Sequence, residues 1–176
     1  MEDQVRDVKF DALRNALYHS ARRSALETMN RMINLVVIVA GAAAVSDLFG
    51  PTFDVRWFAL AATIAGAFQL VFDFGGRAKE HAFLQKRFYD VVAEIEKSST
   101  ATEQDICRWR GDLVTIYADE PPTMRVLDAI AYNNAGDALD MPMRIKVDFV
   151  RSALRHLLPF NDWSGEWIRV PKPVSD

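Results

Sequence analysis

Two apolar stretches separated by seven residues constrain this chain more than anything else in it. Met32 to Phe49 reads MINLVVIVAGAAAVSDLF and Trp57 to Phe74 reads WFALAATIAGAFQLVFDF, 18 residues each. At 1.5 Å per residue, 18 helical residues come close to the roughly 30 Å of a bilayer's hydrocarbon core. Both stretches are apolar around the whole helical circumference. A surface helix in a chain of 176 residues needs a polar side. Aromatic residues gather at the ends: Phe49, Phe53, Trp57 and Phe58 on one side, Phe72 and Phe74 on the other, the position of headgroup-level belts.

Charge placement gives an orientation. Arg14, Arg22, Arg23 and Arg31 precede the first stretch, and Arg77, Lys79, Lys86 and Arg87 follow the second; between them stands only Arg56. The positive-inside rule then puts both termini in the cytoplasm, joined by a short external turn at Gly50-Pro51. The first stretch begins behind a long charged segment, unlike the apolar region of a cleaved signal peptide. A helical hairpin buried inside a soluble bundle is the competing reading, and Asn34, Asp47, Gln69 and Asp73 keep it open.

Outside the hairpin the sequence keeps a helical rhythm. Phe10, Leu13, Leu17, Ala21 and Ser24 recur at steps of three and four, predicting a helix from about Val5 that runs into the first span. His81, Leu84, Phe88, Val91 and Ile95 repeat with coiled-coil seam spacing. Ser98-Ser99-Thr100 ends that helix, and Thr102 with Asp105 supplies a capping-box start for a helix bearing Ile106, Trp109, Leu113 and Ile116. Pro121-Pro122 stops it. Thr123 is the expected cap of the next helix, through Met124, Leu127, Ile130 and Ala131, with Gly136 at its end. A last helix is expected from Pro142 through Val147, Val150, Leu154 and Leu157 to Pro159. No segment shows the period-two alternation of strands. The fold class is therefore all-α: residues 1–31 form an amphipathic helix, 32–74 a transmembrane hairpin (32–49 and 57–74), and 75–176 a cytoplasmic helical domain with a short tail.

Composition limits the chemistry. With 50% apolar residues, 26% charged and a net charge of −3, the chain suits one ordinary domain with an appendage. The single cysteine, Cys107, excludes an intramolecular disulfide, and no Cys/His cluster has zinc-site spacing. Gly75-Gly76 lacks the further glycines and the lysine of a phosphate loop. His19, His81 and His156 are far apart in sequence and read as packing or hydrogen-bonding residues. No enzyme activity and no cofactor are expected.

The membrane-embedded polar residues carry more information. On the second span Ala62, Gly66, Gln69 and Asp73 advance by four, three and four; on the first, Asn34, Ile38, Gly41 and Val45 do the same. Two such faces cannot enclose a water-filled path, whereas several hairpins around an axis can, four copies being the guess. Asn34, Ile38, Gly41, Gly66, Gln69 and Asp73 are the expected pore-lining residues. A helix-packing face without a pore is the blander reading of the same stripe. Asp73 also lies one helical turn before Arg77, with which it can pair.

The order of parts resembles the SLATT family of small bacterial two-span proteins. Its carriers are the basic helix Tyr18-His19-Ser20-Ala21-Arg22-Arg23, the two spans, the His81-x-x-Leu84-x-x-Arg87-Phe88 helix continuing to Glu94-Ile95, and Pro121-Pro122 followed by Leu127 and Asn133-Asn134, covering about Arg14 to Asn134. The resemblance implies an effector of antiviral or conflict systems in the bacterial inner membrane: a pore, or a membrane-perturbing protein, controlled by a nucleotide-derived signal from a neighbouring enzyme. From Arg77 onward 14 Lys or Arg stand against 16 Asp or Glu, so long duplex nucleic acid is not an expected partner. Arg144, Arg151 and Arg155, near one face of the expected last helix, are the candidate contacts for a nucleotide or short oligonucleotide, with a solvated basic face as the alternative. Arg22, Arg23, Arg77 and Lys79 are expected at anionic headgroups. A non-conducting membrane adaptor that recruits a cytoplasmic partner, and a soluble α-bundle, complete the set of readings.

Overall fold

A computed structural model describes residues 1–45 and 54–169. Six helices and two short strands follow in the order α1 (Glu2–Val45), α2 (Val55–Phe72), α3 (Phe74–Lys97), α4 (Glu103–Tyr117), α5 (Arg125–Ala138), β1 (Met143–Lys146), α6 (Phe149–Leu154) and β2 (Glu166–Arg169). The chain divides into two compact units, one made of Met1–Arg22 with His81–Asp176 and the other of Arg23–Glu80.

In the first unit the α3 and α4 seam residues foreseen from spacing form the core, whereas α1 turns Val8, Ala12 and Ala16 to it instead of the expected Leu13, Leu17, Ala21 and Ser24, of which Ser24 is exposed. Val8, Ala12 and Ala16 of α1 pack with Leu84, Phe88, Val91 and Ile95 of α3 and with Ile106, Trp109, Leu113 and Ile116 of α4. The alanines let α1 approach closely, and the large residues of the other two helices fill the space around it. The α4 start is the expected capping box: the Thr102 hydroxyl accepts the Asp105 N–H, and the Asp105 carboxylate accepts the Thr102 N–H. A second cluster of Tyr18, Leu127 and Ala131 joins α1 to α5. The Tyr18 hydroxyl accepts the Met124 N–H at 3.0 Å, and Arg14 grips Asp128 with two bonds, its Nε donating at 2.8 Å.

Three expectations for the C-terminal half are corrected. The cap of α5 is Met124, whose side chain makes no capping bond, rather than Thr123. Gly136 lies inside α5, because the helix runs on to Ala138. The helix expected from Pro142 begins instead as a strand. β1 and β2 pair antiparallel, with Met143 opposite Arg169 and Ile145 opposite Trp167, and helix is confined to Phe149–Leu154. The mostly helical architecture stands, with a two-stranded ribbon whose strands, four residues each, are too short for period-two alternation to show in the sequence.

In the second unit α1 continues without a break to Val45, as expected, and α2 faces it. Leu26, Phe74 and Ala78 are buried together with Met29 and Ile33 around them. Beyond that cluster burial ends: α2 contains no buried residue, and on the apolar half of α1 only Ala40 and Ala43 are buried. Both helices are long and apolar enough to cross a membrane. They are not the dry interior of this chain. The expected turn at Gly50-Pro51, with Asp47, Phe49 and Phe53, lies outside the described residues.

Candidate functional site

The expected pore-lining residues all belong to the second unit, and the structure places them unevenly. Ile38 is 67% exposed, while Asn34, Gly41 and Gly66 are half-buried. A side chain at Gly41 or Gly66 would meet nothing within 4 Å, so neither glycine serves close packing inside one copy of the chain. Gln69 is engaged: its amide donates to the Asn30 side-chain oxygen at 3.3 Å, tying α2 to α1. Asn30 precedes the apolar stretch and escaped the sequence reading, although it lies one turn before Asn34 on the same face. A shallow apolar crevice of about 480 Å³ runs between the helices, lined by Met32, Ile33, Val36, Ala61, Ile64, Ala65 and Phe68.

Asp73 ends α2 in the left-handed conformation, φ 40° and ψ 54°, with its N–H on the Gln69 carbonyl at 3.0 Å. Its carboxylate accepts the Gly76 N–H at 3.0 Å and so caps the start of α3. The side chain that spacing offered to Arg77 is thus used by the backbone. Phe68, Phe72 and Phe74 cluster around it in sequence, centroids 4.2 to 5.9 Å apart, with Phe72 and Phe74 stacked and Phe68 tilted against both.

The candidate ligand arginines do not share one helix. Arg144 stands on β1, where it pairs with Asp137 and donates to the Met143 carbonyl at 3.0 Å; Arg151 pairs with Asp148 within α6 and its cap; Arg155 donates to the Ser152 carbonyl at 2.7 Å. Each guanidinium is occupied by a near neighbour. Two cations expected at headgroups are engaged as well, Arg22 with the His156 carbonyl and Arg23 with Glu27.

The structure also assembles a cluster that sequence separation concealed. His19 and His81, 62 residues apart, meet with their Nδ1 atoms at 2.7 Å, and His19 Nε2 lies 2.9 Å from Glu120 Oε1. His19 is fully buried and stacked on Phe88, with centroids 5.6 Å apart and planes 13° from parallel. Burial first, then His19 and Arg22, push the His81 imidazole down to about 4. His156 is likewise held down to about 4 by burial, Arg155 and Arg22. The resemblance motif is therefore a packing motif here: His81, Leu84 and Phe88 face inward, and Arg87 pairs with Asp119. Among the described residues no group of three His, Cys, Asp or Glu is placed to hold a metal ion, and Cys107 is exposed. No family model, curated protein or solved structure matches the chain.

Proposed function

We propose that this chain is a two-span protein of the bacterial cytoplasmic membrane, with both termini inside, that assembles with copies of itself into an ion-conducting pore. The observation that carries the reading is the state of α2: 18 residues, none buried, with Gln69 and Asp73 as its polar groups at one end. Apolar side chains such as Leu70, 84% exposed, and Val71, 74% exposed, need a cover that the chain does not supply; lipid supplies it. Gln69 and Asp73 are costly in hydrocarbon unless they face protein or water, and the open space over Gly41 and Gly66 leaves room for a neighbouring copy.

Control by a nucleotide or short oligonucleotide, as an effector of antiviral defence, is the part of the proposal that rests on the SLATT resemblance. With Arg144, Arg151 and Arg155 locally paired, a phosphate ligand would have to displace Asp137, Asp148 or the Ser152 carbonyl to recruit them. The test is reconstitution of the purified chain in planar bilayers. Unitary currents are expected, altered in selectivity or size by Gln69→Leu and Asp73→Asn. A protein that passes no ions with or without candidate nucleotides is not a pore, and unchanged currents in both variants remove those two residues from its lining.

One observation favours a second reading, a membrane adaptor. Phe149, Val150 and Leu157, in and just after α6, are 85%, 63% and 62% exposed, apolar side chains that a protein partner could cover. An adaptor yields a stoichiometric complex from cells and leaves membrane potential unchanged.

A further inference from the structure

The His19–His81 contact joins the two helices that lead into and out of the apolar hairpin in sequence, and its hydrogen-bond logic is unusually constrained. Glu120 is an acceptor when ionised, so His19 Nε2 carries a proton and donates to it. In the neutral pair, His19 Nδ1 is then a lone pair, and His81 Nδ1–H donates into it across 2.7 Å. One added proton can be held without breaking the contact: the His81 Nδ1 proton passes to His19 Nδ1 while the incoming proton takes His81 Nε2, which reverses the direction of the Nδ1 bond and leaves a His19 imidazolium between neutral His81 and the Glu120 carboxylate. A second proton cannot. It sets two N–H groups against each other at hydrogen-bond distance, inside a core with Tyr18 and Phe88 at its walls.

From these contacts we infer that His19, His81 and Glu120 form a proton-operated latch between α1 and α3: closed while the pair holds no more than one extra proton, and released when both imidazoles are charged. The charged and titratable neighbours fit that sense. On α1, Arg22 opposes charge on His81. Beyond α4, Glu120 supports charge on His19, whereas Asp119 is already committed to Arg87 of α3. Tyr18 of α1 and Tyr117 of α4 are pushed up by burial, Tyr117 to about 12, so both stay neutral, and Asp128 of α5 is bound to Arg14. No other carboxylate among these is free to neutralise a second imidazolium. The latch needs neither a pore nor a nucleotide, so it stands or falls independently of the function proposed above.

The test uses the full chain in detergent micelles or nanodiscs. With 15N-labelled histidine, NMR is expected to show nitrogen–nitrogen coupling across the His19–His81 bond at pH 7.5, and an imidazole that stays neutral well below the range of free histidine. Amide exchange, corrected for its intrinsic pH dependence, is expected to show the α1/α3 contact around residues 16–22 and 81–88 opening about tenfold or more on going from pH 7.5 to 5.0. His81→Gln, which keeps a donor but cannot take a proton, removes this increase, and His156→Gln retains it. Absence of the coupling with both imidazoles titrating as free histidine, wild-type opening that ignores pH, or a full increase surviving in His81→Gln each overturns the latch. The wild-type NMR result decides alone where a variant does not fold.

Discussion

Asp73 does two structural jobs at once. It accepts a left-handed backbone, which costs most L-residues roughly 1–2 kcal/mol and Asp less, because a short polar side chain can bond locally. It then turns its carboxylate onto the Gly76 N–H. A Cβ at position 76 would stand 2.1 Å from Asp73 Oδ2, so Gly76 is required by the cap rather than by its own backbone angles. Two outcomes follow. Gly76→Ala displaces the carboxylate and lowers stability by about 1 kcal/mol, the usual worth of a helix cap, read as a fall in thermal midpoint in nanodiscs. Asp73→Ala is less stable than Asp73→Gly, since both lose the cap and only alanine also bears the left-handed strain; the reverse order removes strain from the account. Asn at 73 keeps an accepting oxygen and tolerates the same conformation. Asp73→Asn therefore separates charge from fold, and a conductance change in that variant reports on the carboxylate.

Most elements that depend on neighbours in sequence were legible, the cap and end of α5 excepted, and those that depend on a distant partner were not. The α3 and α4 seams, the Thr102/Asp105 box and the continuity of α1 follow from local periodicity and capping, and the structure reproduces them. The last helix misled because Val147, Val150, Leu154 and Leu157 keep helical spacing although part of that backbone is claimed elsewhere. Asn133 of α5 accepts the Ile145 N–H at 2.8 Å and donates to the Ile145 carbonyl at 2.7 Å, a side-chain imitation of a strand neighbour. Asp148 caps α6 only after that strand. Gly165, at φ 72° and with a would-be Cβ 2.6 Å from an Ile145 methyl, lets the chain return beside it. Asn133→Ala removes both bonds and leaves Ile145 polar groups unmatched, at a cost of about 1–3 kcal/mol. The expected signature is loss of amide protection in β1 and β2 while α3 and α4 keep theirs; unchanged protection in the strands would show that the ribbon holds itself. The Gln69–Asn30 bond and the His19–His81 pair were hidden for the same reason, being contacts across 39 and 62 residues.

For the whole molecule, the histidines set the pH response. In the folded chain His81 and His156 are both pushed down to about 4, first by burial, whereas in the unfolded chain each protonates near 6.5. Between those values the unfolded chain binds more protons, so stability is fully present above about pH 6.5 and declines as pH falls toward 4. Asp11 acts in the opposite sense, because burial raises its carboxyl and acid then favours the folded form. Glu27, Asp105 and Asp148 are all lowered by hydrogen bonds, to Arg23, Thr102 and Arg151, and lose their contribution only at more acid pH. From pH 7.5 to 5.0 the two histidines therefore act together, opposed by Asp11 alone among these groups. Each is expected to account for about 1–3 kcal/mol across its full shift, discounted for partial exposure of His156. The thermal midpoint of the solubilised chain should fall steadily over that interval, by less in His81→Gln or His156→Gln and least in the double variant. A midpoint that is flat from pH 7.5 to 5.0 in the wild type would mean that both imidazoles reach water in the folded protein, against the burial that holds them neutral.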